Sequence, residues 1–123
     1  MSISITIRQS AGVTIVAPSG RLIFGEGVQA LRARIADLAL ADSPCVLLDL
    51  ADVVYIDSSG IGELVYAHSV VKALRGELKL VNMGRRVQDL LKIMRLDTVF
   101  EVYEDEPSAI ADFVLEKSPQ PVG

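Results

Sequence analysis

Hydrophobic and polar residues alternate in the N-terminal part of the chain, which is the pattern of strands with one buried face. The alternating hydrophobic positions fall in two runs: Ile3, Ile5 and Ile7, then Val13, Ile15 and Ala17. The stretch 9–12 between the two runs is rich in turn-forming residues, so the sequence predicts a β-hairpin. Pro18-Ser19-Gly20 is expected to end the second strand, because proline cannot donate a ladder hydrogen bond.

From Gly27 onward the period changes, and hydrophobic residues recur every three or four positions, as in a helix with one buried face. The pattern predicts four helices: one from Gly27 to about Ala41, one that follows 57–62 and ends near Leu74, one around 87–94, and one that begins at Pro107. Short apolar runs between these helices predict strands at 46–50, 53–56, 78–81 and 99–102. Because 46–50 is apolar on both faces apart from Asp49, we expect it to be a central, covered strand.

Alternating helices and strands predict parallel neighbours joined by crossover helices, whereas the hairpin must be antiparallel. We therefore predict a single α/β domain with a mixed, mostly parallel sheet, an N-terminal hairpin and about four helices packed mainly on one side. Residues 1–116 are expected to form this domain. Residues 117–123 contain two prolines and are expected to be a flexible tail.

Composition narrows the classes of function. The 123 residues carry a formal net charge of −4, which argues against general nucleic-acid binding, because phosphate contacts need clustered basic residues. A single cysteine, Cys45, and a single histidine, His68, leave no disulfide framework and no cysteine- or histidine-rich metal site. There is no signal peptide pattern and no apolar stretch of membrane-spanning length. We expect a cytoplasmic domain with no membrane insertion and no cofactor.

The stretch 57–62, Asp-Ser-Ser-Gly-Ile-Gly, lies between a strand-like run and a predicted helix. Asp57 and Ser58 are both residues that cap the first turn of a helix, and the simplest interpretation is a structural cap. A serine at a helix start is also exposed, and the helix dipole favours an anion there. Phosphorylation of Ser58 is therefore a second interpretation, and the residues alone leave both open.

The chain resembles the STAS-domain anti-sigma-factor antagonists of bacteria. The resemblance rests on the 46–50 strand, on Asp57-Ser58-Ser59-Gly60-Ile61-Gly62 with Leu64-Val65, and on matching segments 20–22, 76–80, 87–91 and 96–100. It covers nearly the whole chain. It implies a non-catalytic STAS fold that works by binding other proteins.

The resemblance also implies a phosphoserine switch. The serine after the Asp, here Ser58, is the one that an anti-sigma factor with serine kinase activity phosphorylates from ATP. The unmodified antagonist binds that kinase and frees a sigma factor, the phosphorylated form dissociates, and a serine phosphatase restores it. The implied partner-binding residues are Asp57, Ser59, Gly60 and Ile61.

The chain departs from the family pattern near the first helix. Many members carry an Asp shortly after the Gly-x-Leu turn, and Ile23 occupies that place here. Glu26 is expected to supply the missing carboxylate and is therefore added to the partner-binding residues. The departure bears on kinase recognition more than on the fold.

Other functions have weaker support. The alternative to the switch is a STAS module of a transporter or signalling assembly that binds constitutively, with Ser58 only as a cap. A hydrolase built from Ser58, His68 and Asp49 or Asp57 lacks the Gly-x-Ser-x-Gly elbow. Gly60-Ile61-Gly62 lacks the rest of a dinucleotide-binding fingerprint, and no phosphate-binding P-loop is present.

One further feature of the third predicted helix is a basic cluster: Arg85, Arg86, Lys92 and Arg95. Its simplest interpretation is a solvated helix face opposite the apolar one. The less favoured interpretation is that this cluster meets acidic residues of a partner protein.

Overall fold

The computed structural model describes residues 3–38, 40 and 44–117, and this part of the chain contains six strands and four helices. The strands are β1 (Ser4–Ser10), β2 (Val13–Leu22), β3 (Cys45–Asp49), β4 (Val53–Ile56), β5 (Glu77–Val81) and β6 (Glu101–Tyr103). The helices are α1 (Glu26–Leu38), α2 (Ser58–Ala73), α3 (Arg85–Ile93) and α4 (Glu106–Lys117).

The strands form one mixed sheet in the order β1-β2-β3-β5-β6, and β4 pairs with the far end of β2. Only β1 and β2 are antiparallel, and all other pairs are parallel. Ala11 and Gly12 join β1 to β2 with φ values of 52° and 81°, as a two-residue type I′ hairpin turn requires. The predicted fold class and the predicted hairpin are confirmed.

The prediction that the second strand ends at Pro18-Ser19-Gly20 is wrong, because β2 continues to Leu22. On one side β2 pairs with β3 at residues 14–16 and with β4 at residues 20–22. Pro18 falls in the gap between these two parallel pairings, where its missing N–H removes no ladder hydrogen bond. The strand therefore changes partner at this point and does not end.

Other predicted boundaries differ from the observed ones by a few residues. The first helix begins at Glu26, one residue early, and ends at Leu38, while the expected end near Ala41 lies outside the described residues. The last strand covers Glu101–Tyr103, later than 99–102. The last helix begins at Glu106, so Pro107 is its second residue. Lys117 ends that helix, and the rest of the expected tail lies outside the described residues.

The sheet is covered on both faces, which explains why the central strand β3 is apolar on both faces apart from Asp49. Helices α1, α2 and α3 pack on one face, where the buried residues of the three central strands include Val16, Leu48 and Leu80. Helix α4 packs on the other face through Phe113, against a second cluster that includes Leu47. Within the described chain, three helices lie on one side and one on the other, as predicted.

One buried cation fixes α4 to the sheet. Lys79 of β5 is 0% exposed, and its Nζ donates to Glu101 of β6 and to Glu116 of α4, each at 2.9 Å. Burial opposes the charge of this ammonium group, but the hydrogen bonds to Glu116 and Glu101 outweigh it and raise the pKa of Lys79. The lysine therefore stays charged and links the last strand and the last helix to the core.

A buried anion links α1 to α2 on the opposite face. Glu63 of α2 is 2% exposed, and Arg32 of α1 donates to its two oxygens at 3.1 and 2.9 Å. The same guanidinium group lies 4.1 Å from the ring centroid of Tyr66. The hydrogen bonds that Arg32 donates to Glu63 raise the pKa of Arg32. The orientation of α2 against α1 depends on this bidentate pair.

Replacing Arg32 with Ala should lower the melting temperature by several degrees, because the substitution leaves the Glu63 carboxylate buried without its partner. Arg34→Ala is the matched control, since Arg34 lies on the same helix, is exposed and makes no ion pair within the described chain. Thermal unfolding followed by circular dichroism measures both. Equal shifts for the two variants would contradict a structural role for the pair.

The histidine of α2 gives the fold a pH dependence. The His68 ring packs edge-on against Phe100, with 5.4 Å between centroids. Burial, and then the charge of Lys72, lower the pKa of His68 below its ordinary value of 6.5, while Glu77 and Glu101 oppose the shift. The folded state therefore favours the neutral ring. The unfolded chain takes up the proton first as the pH falls.

Stability should accordingly decrease as the pH falls below about 6.5, and this part of the decrease should be absent in a His68→Gln protein. The urea midpoint of both proteins over a pH series measures the effect. The variant can be less stable overall, so the comparison is between slopes. A slope identical to that of the wild type would show that another group causes the pH dependence.

Candidate functional site

The candidate site is the start of α2, where Asp57 organises the chain. Asp57 is the N-cap residue, and its Oδ1 accepts the Gly60 N–H at 2.9 Å. Its Oδ2 accepts the Phe24 N–H, from the loop between β2 and α1, at 3.1 Å. One carboxylate therefore caps α2 and holds a second loop beside it.

Ser58 is the first residue of α2, and it is exposed. Within the described chain, no hydrogen bond uses its hydroxyl group. The helix cap predicted for this stretch is confirmed, but the Asp57 carboxylate makes the capping bond and the Ser58 hydroxyl does not. The Ser58 hydroxyl is left accessible to another protein.

The other predicted partner-binding residues divide into exposed and buried ones. Ser59 is half-buried, and Glu26 is an exposed residue that begins α1, three positions after the partly buried Ile23. Gly60 is buried, and the Ile61 side chain is 0% exposed and packs in the core. The surface around Ser58 thus includes Ser59 but not the Ile61 side chain, which anchors the helix from below.

Gly60 allows the close approach that places the Phe24 backbone beside Asp57. A Cβ atom at position 60 would lie 2.2 Å from the Leu22 carbonyl oxygen and 2.7 Å from the Ile56 side chain. Only glycine lets the end of β2 pass this close to the first turn of α2. The Asp57–Phe24 hydrogen bond needs the same approach.

The sequence analysis missed three exposed hydrophobic side chains near this site. Phe24 is 81% exposed, Val54 is 74% exposed and Tyr55 is 47% exposed. Phe24 follows the end of β2 directly, and the other two belong to β4, which leads into Asp57. The sequence feature that could have predicted the exposure of Phe24 is its position in the glycine-rich stretch 20–27, outside the helical period. Such side chains are typical of protein-binding surfaces.

The electrostatics of this end of α2 suit an added anion. Apart from the cap, there is no acidic residue in its first turn, and the positive end of the helix dipole points toward Ser58. The acidic residue next to Ser58 along the chain is Asp57, whose carboxylate accepts the Gly60 N–H, and the helix dipole at this position favours an anion.

The structure does not assemble the catalytic or metal sites considered above. Ser58 and His68 lie ten residues apart on one helix, a rise of about 15 Å, which is too far for proton transfer. No group of three His, Cys, Asp or Glu residues in the described chain is placed to hold a metal ion. No helix in the described ranges combines the length and the apolar character needed to cross a membrane.

Comparison with known proteins gives consistent matches. The family model described as "STAS domain" matches residues 4–109. An anti-sigma F factor antagonist of Paenibacillus polymyxa is 25% identical over 91% of this chain and 96% of its own length. An anti-sigma-B factor antagonist of Bacillus subtilis (strain 168) is 29% identical, over 83% of this chain and 92% of its own.

A solved structure shares the fold. The structure of an anti-sigma-factor antagonist (STAS) domain protein from Planctomyces limnophilus superposes with a TM-score of 0.80 at 24% identity. The match covers 89% of this chain and 97% of that one.

Gly60→Ala should destabilise the domain by about 1–3 kcal/mol, because its methyl group would overlap the Leu22 carbonyl. Gly62→Ala is the matched control: it lies on the same helix, nothing lies within 4 Å of its added Cβ, and alanine favours the helix by up to about 1 kcal/mol. Urea denaturation measures both. A Gly60→Ala protein as stable as Gly62→Ala would show that the two segments can separate at no cost.

Proposed function

Because this chain belongs to the STAS domain family, we propose that it is an anti-sigma factor antagonist controlled by phosphorylation of Ser58. The unphosphorylated form binds an anti-sigma factor that is also a serine kinase, and this binding frees a sigma factor. Phosphorylation ends the binding, and a serine phosphatase restores the active form. The proposed setting is the cytoplasm. The relatives named above are anti-sigma factor antagonists, which supports the general role.

The observation that supports the proposed switch is that Asp57 caps the helix while the hydroxyl group of Ser58 does not. Since Asp57 makes the capping hydrogen bond, the Ser58 hydroxyl is exposed and has no structural task. In the proposed reaction its oxygen attacks the γ-phosphorus of ATP, the bond to the departing ADP breaks, and the hydroxyl proton leaves to the kinase or solvent. The fold needs no change to present this group.

The added charge explains the release of the partner. A phosphoserine carries about −1.5 to −2 charges at neutral pH. In the free antagonist this charge is hydrated and lies at the positive end of α2. In a complex centred on Ser58 it would have to be desolvated against the partner, which costs enough to reverse binding.

The exposed residues around Ser58 supply the proposed contact. Phe24 offers a large apolar side chain, and the Asp57 hydrogen bond holds its backbone next to the α2 start. Ser59 and Glu26 add polar groups, with Glu26 proposed to replace the family carboxylate at Ile23. Gly60 and Ile61 are buried beneath this surface and position the turn that carries Ser58.

The test combines mapping of the phosphate with binding measurements. The unmodified chain is used to capture its anti-sigma factor, ATP is added, and mass spectrometry locates the phosphate, which is expected on Ser58. Ser58→Asp should bind the purified anti-sigma factor at least about tenfold more weakly than wild type. Ser58→Ala should bind normally, accept no phosphate and match the wild type in stability.

Ser69 supplies the matched control. It is exposed on the same helix, and its hydroxyl donates to the Val65 carbonyl, so Ser69→Asp introduces the same charge about three turns further on. Ser69→Asp is expected to bind like wild type. Phosphate on another residue, or normal binding by Ser58→Asp, would refute the switch and favour a constitutive STAS binding module.

A further inference from the structure

Two arginines from distant parts of the chain meet over one exposed tyrosine. The guanidinium carbon of Arg21, near the end of β2, lies 5.7 Å from the ring centroid of Tyr55 in β4. That of Arg86, in the first turn of α3, lies 5.4 Å from the same centroid. We call Arg21, Tyr55 and Arg86 the Arg–Tyr–Arg patch. Both guanidinium groups lie over the Tyr55 ring, where cation–π attraction is favourable.

The charge of this patch is not balanced within the protein. No ion pair in the described chain uses Arg21 or Arg86, nor the adjacent Arg85, and all three residues are exposed. The chain as a whole carries a net charge of −4. An unpaired basic surface on an acidic protein matches a partner that brings carboxylates.

The patch also has an apolar side and a recess. Val54, next to Tyr55, is 74% exposed, and Tyr55 itself is 47% exposed. A cavity of about 100 Å³ separates β4 from the start of α3, and its walls include Val54, Tyr55, Gly84 and Arg86. A partner surface that fits this shape carries apolar side chains between its carboxylates.

We propose that the Arg–Tyr–Arg patch is a second docking surface, which binds an acidic and apolar segment of the same protein that contacts Ser58. The proposal rests on the proposed function and extends it to the region of β4 and α3. The two surfaces are adjacent, because Tyr55 precedes Ser58 by three residues, a span of about 10 Å at most. A single partner can therefore cover both.

This arrangement gives the phosphate a second effect. The Cα atoms of Tyr55 and Ser58 are at most about 10 Å apart, and the Debye length at physiological ionic strength is about 8 Å. A dianion on Ser58 would neutralise part of the positive potential at Arg21 and Arg86 that attracts the partner's carboxylates. Phosphorylation would then weaken the second docking surface as well as the first.

Charge reversal tests the patch. Arg21→Glu and Arg86→Glu should each weaken binding of the unphosphorylated chain to its purified anti-sigma factor by about tenfold. The affinity of the wild type should also fall more steeply with added salt than the affinity of either variant. Lys92→Glu is the matched control, since it makes the same change of charge on an exposed residue near the other end of α3. It should change the affinity less than about twofold. Calorimetry measures binding, and thermal unfolding checks that the exposed substitutions leave the fold intact.

The outcomes separate this inference from the proposed function. Wild-type affinity in both Arg variants, or an equal loss in Lys92→Glu, overturns the patch while the switch at Ser58 stands. If the wild-type chain binds no anti-sigma factor, the proposed function fails. Binding of a synthetic peptide of alternating Glu and Leu then tests whether the Arg–Tyr–Arg patch is a docking surface. Amide NMR shifts centred on Tyr55 that Arg86→Glu abolishes would support it. Shifts elsewhere or no shifts would overturn it. The finding that the patch serves only self-association or DNA binding would overturn it as well.

Discussion

The Asp57 carboxylate accepts hydrogen bonds from two backbone N–H groups that are far apart in sequence, those of Phe24 and Gly60. Its first oxygen fixes the first turn of α2, and its second holds the β2–α1 loop at that turn. The close passage of Leu22 over Gly60 makes this geometry possible. The rest of the candidate site depends on this one side chain, because it makes the capping bond in place of Ser58 and holds the Phe24 backbone at the start of α2.

The core keeps this arrangement rigid by means of two buried charges. Glu63, paired with Arg32, joins α2 to α1, so that the two segments held by Asp57 are also linked one to two turns further along their helices. Lys79, paired with Glu101 and Glu116, fixes α4 to the other face of the sheet. Both buried groups have their hydrogen bonds satisfied, which is the condition under which burying a charge is tolerated. The proposed partner binding and phosphorylation would therefore act on a preformed surface.

The parallel strands place the functional residues together at one end of the sheet. The loops after β2, β4 and β5 all leave from the carboxyl ends of their strands, where open α/β sheets generally bind ligands. Within the described residues that end presents the exposed Ser58, exposed apolar side chains and arginines that make no ion pair. Such a surface suits the proposed recognition of another protein, and the proposed phosphate on Ser58 would change its charge.

The sequence by itself determined the order of the elements, the hairpin, the covered central strand and the helix that starts after Asp57, because these follow from the periodicity of neighbouring residues. It also located Ser58, since the Asp-Ser-Ser-Gly motif is local. It could not decide whether Asp57 or Ser58 caps the helix, because both side chains are able to make the capping bond. It also could not show that β2 continues past Pro18 by changing its pairing partner from β3 to β4. Only the tertiary structure showed that Ile61 is buried and that Arg21, Tyr55 and Arg86 meet, because exposure and proximity depend on how segments distant in the chain pack against one another.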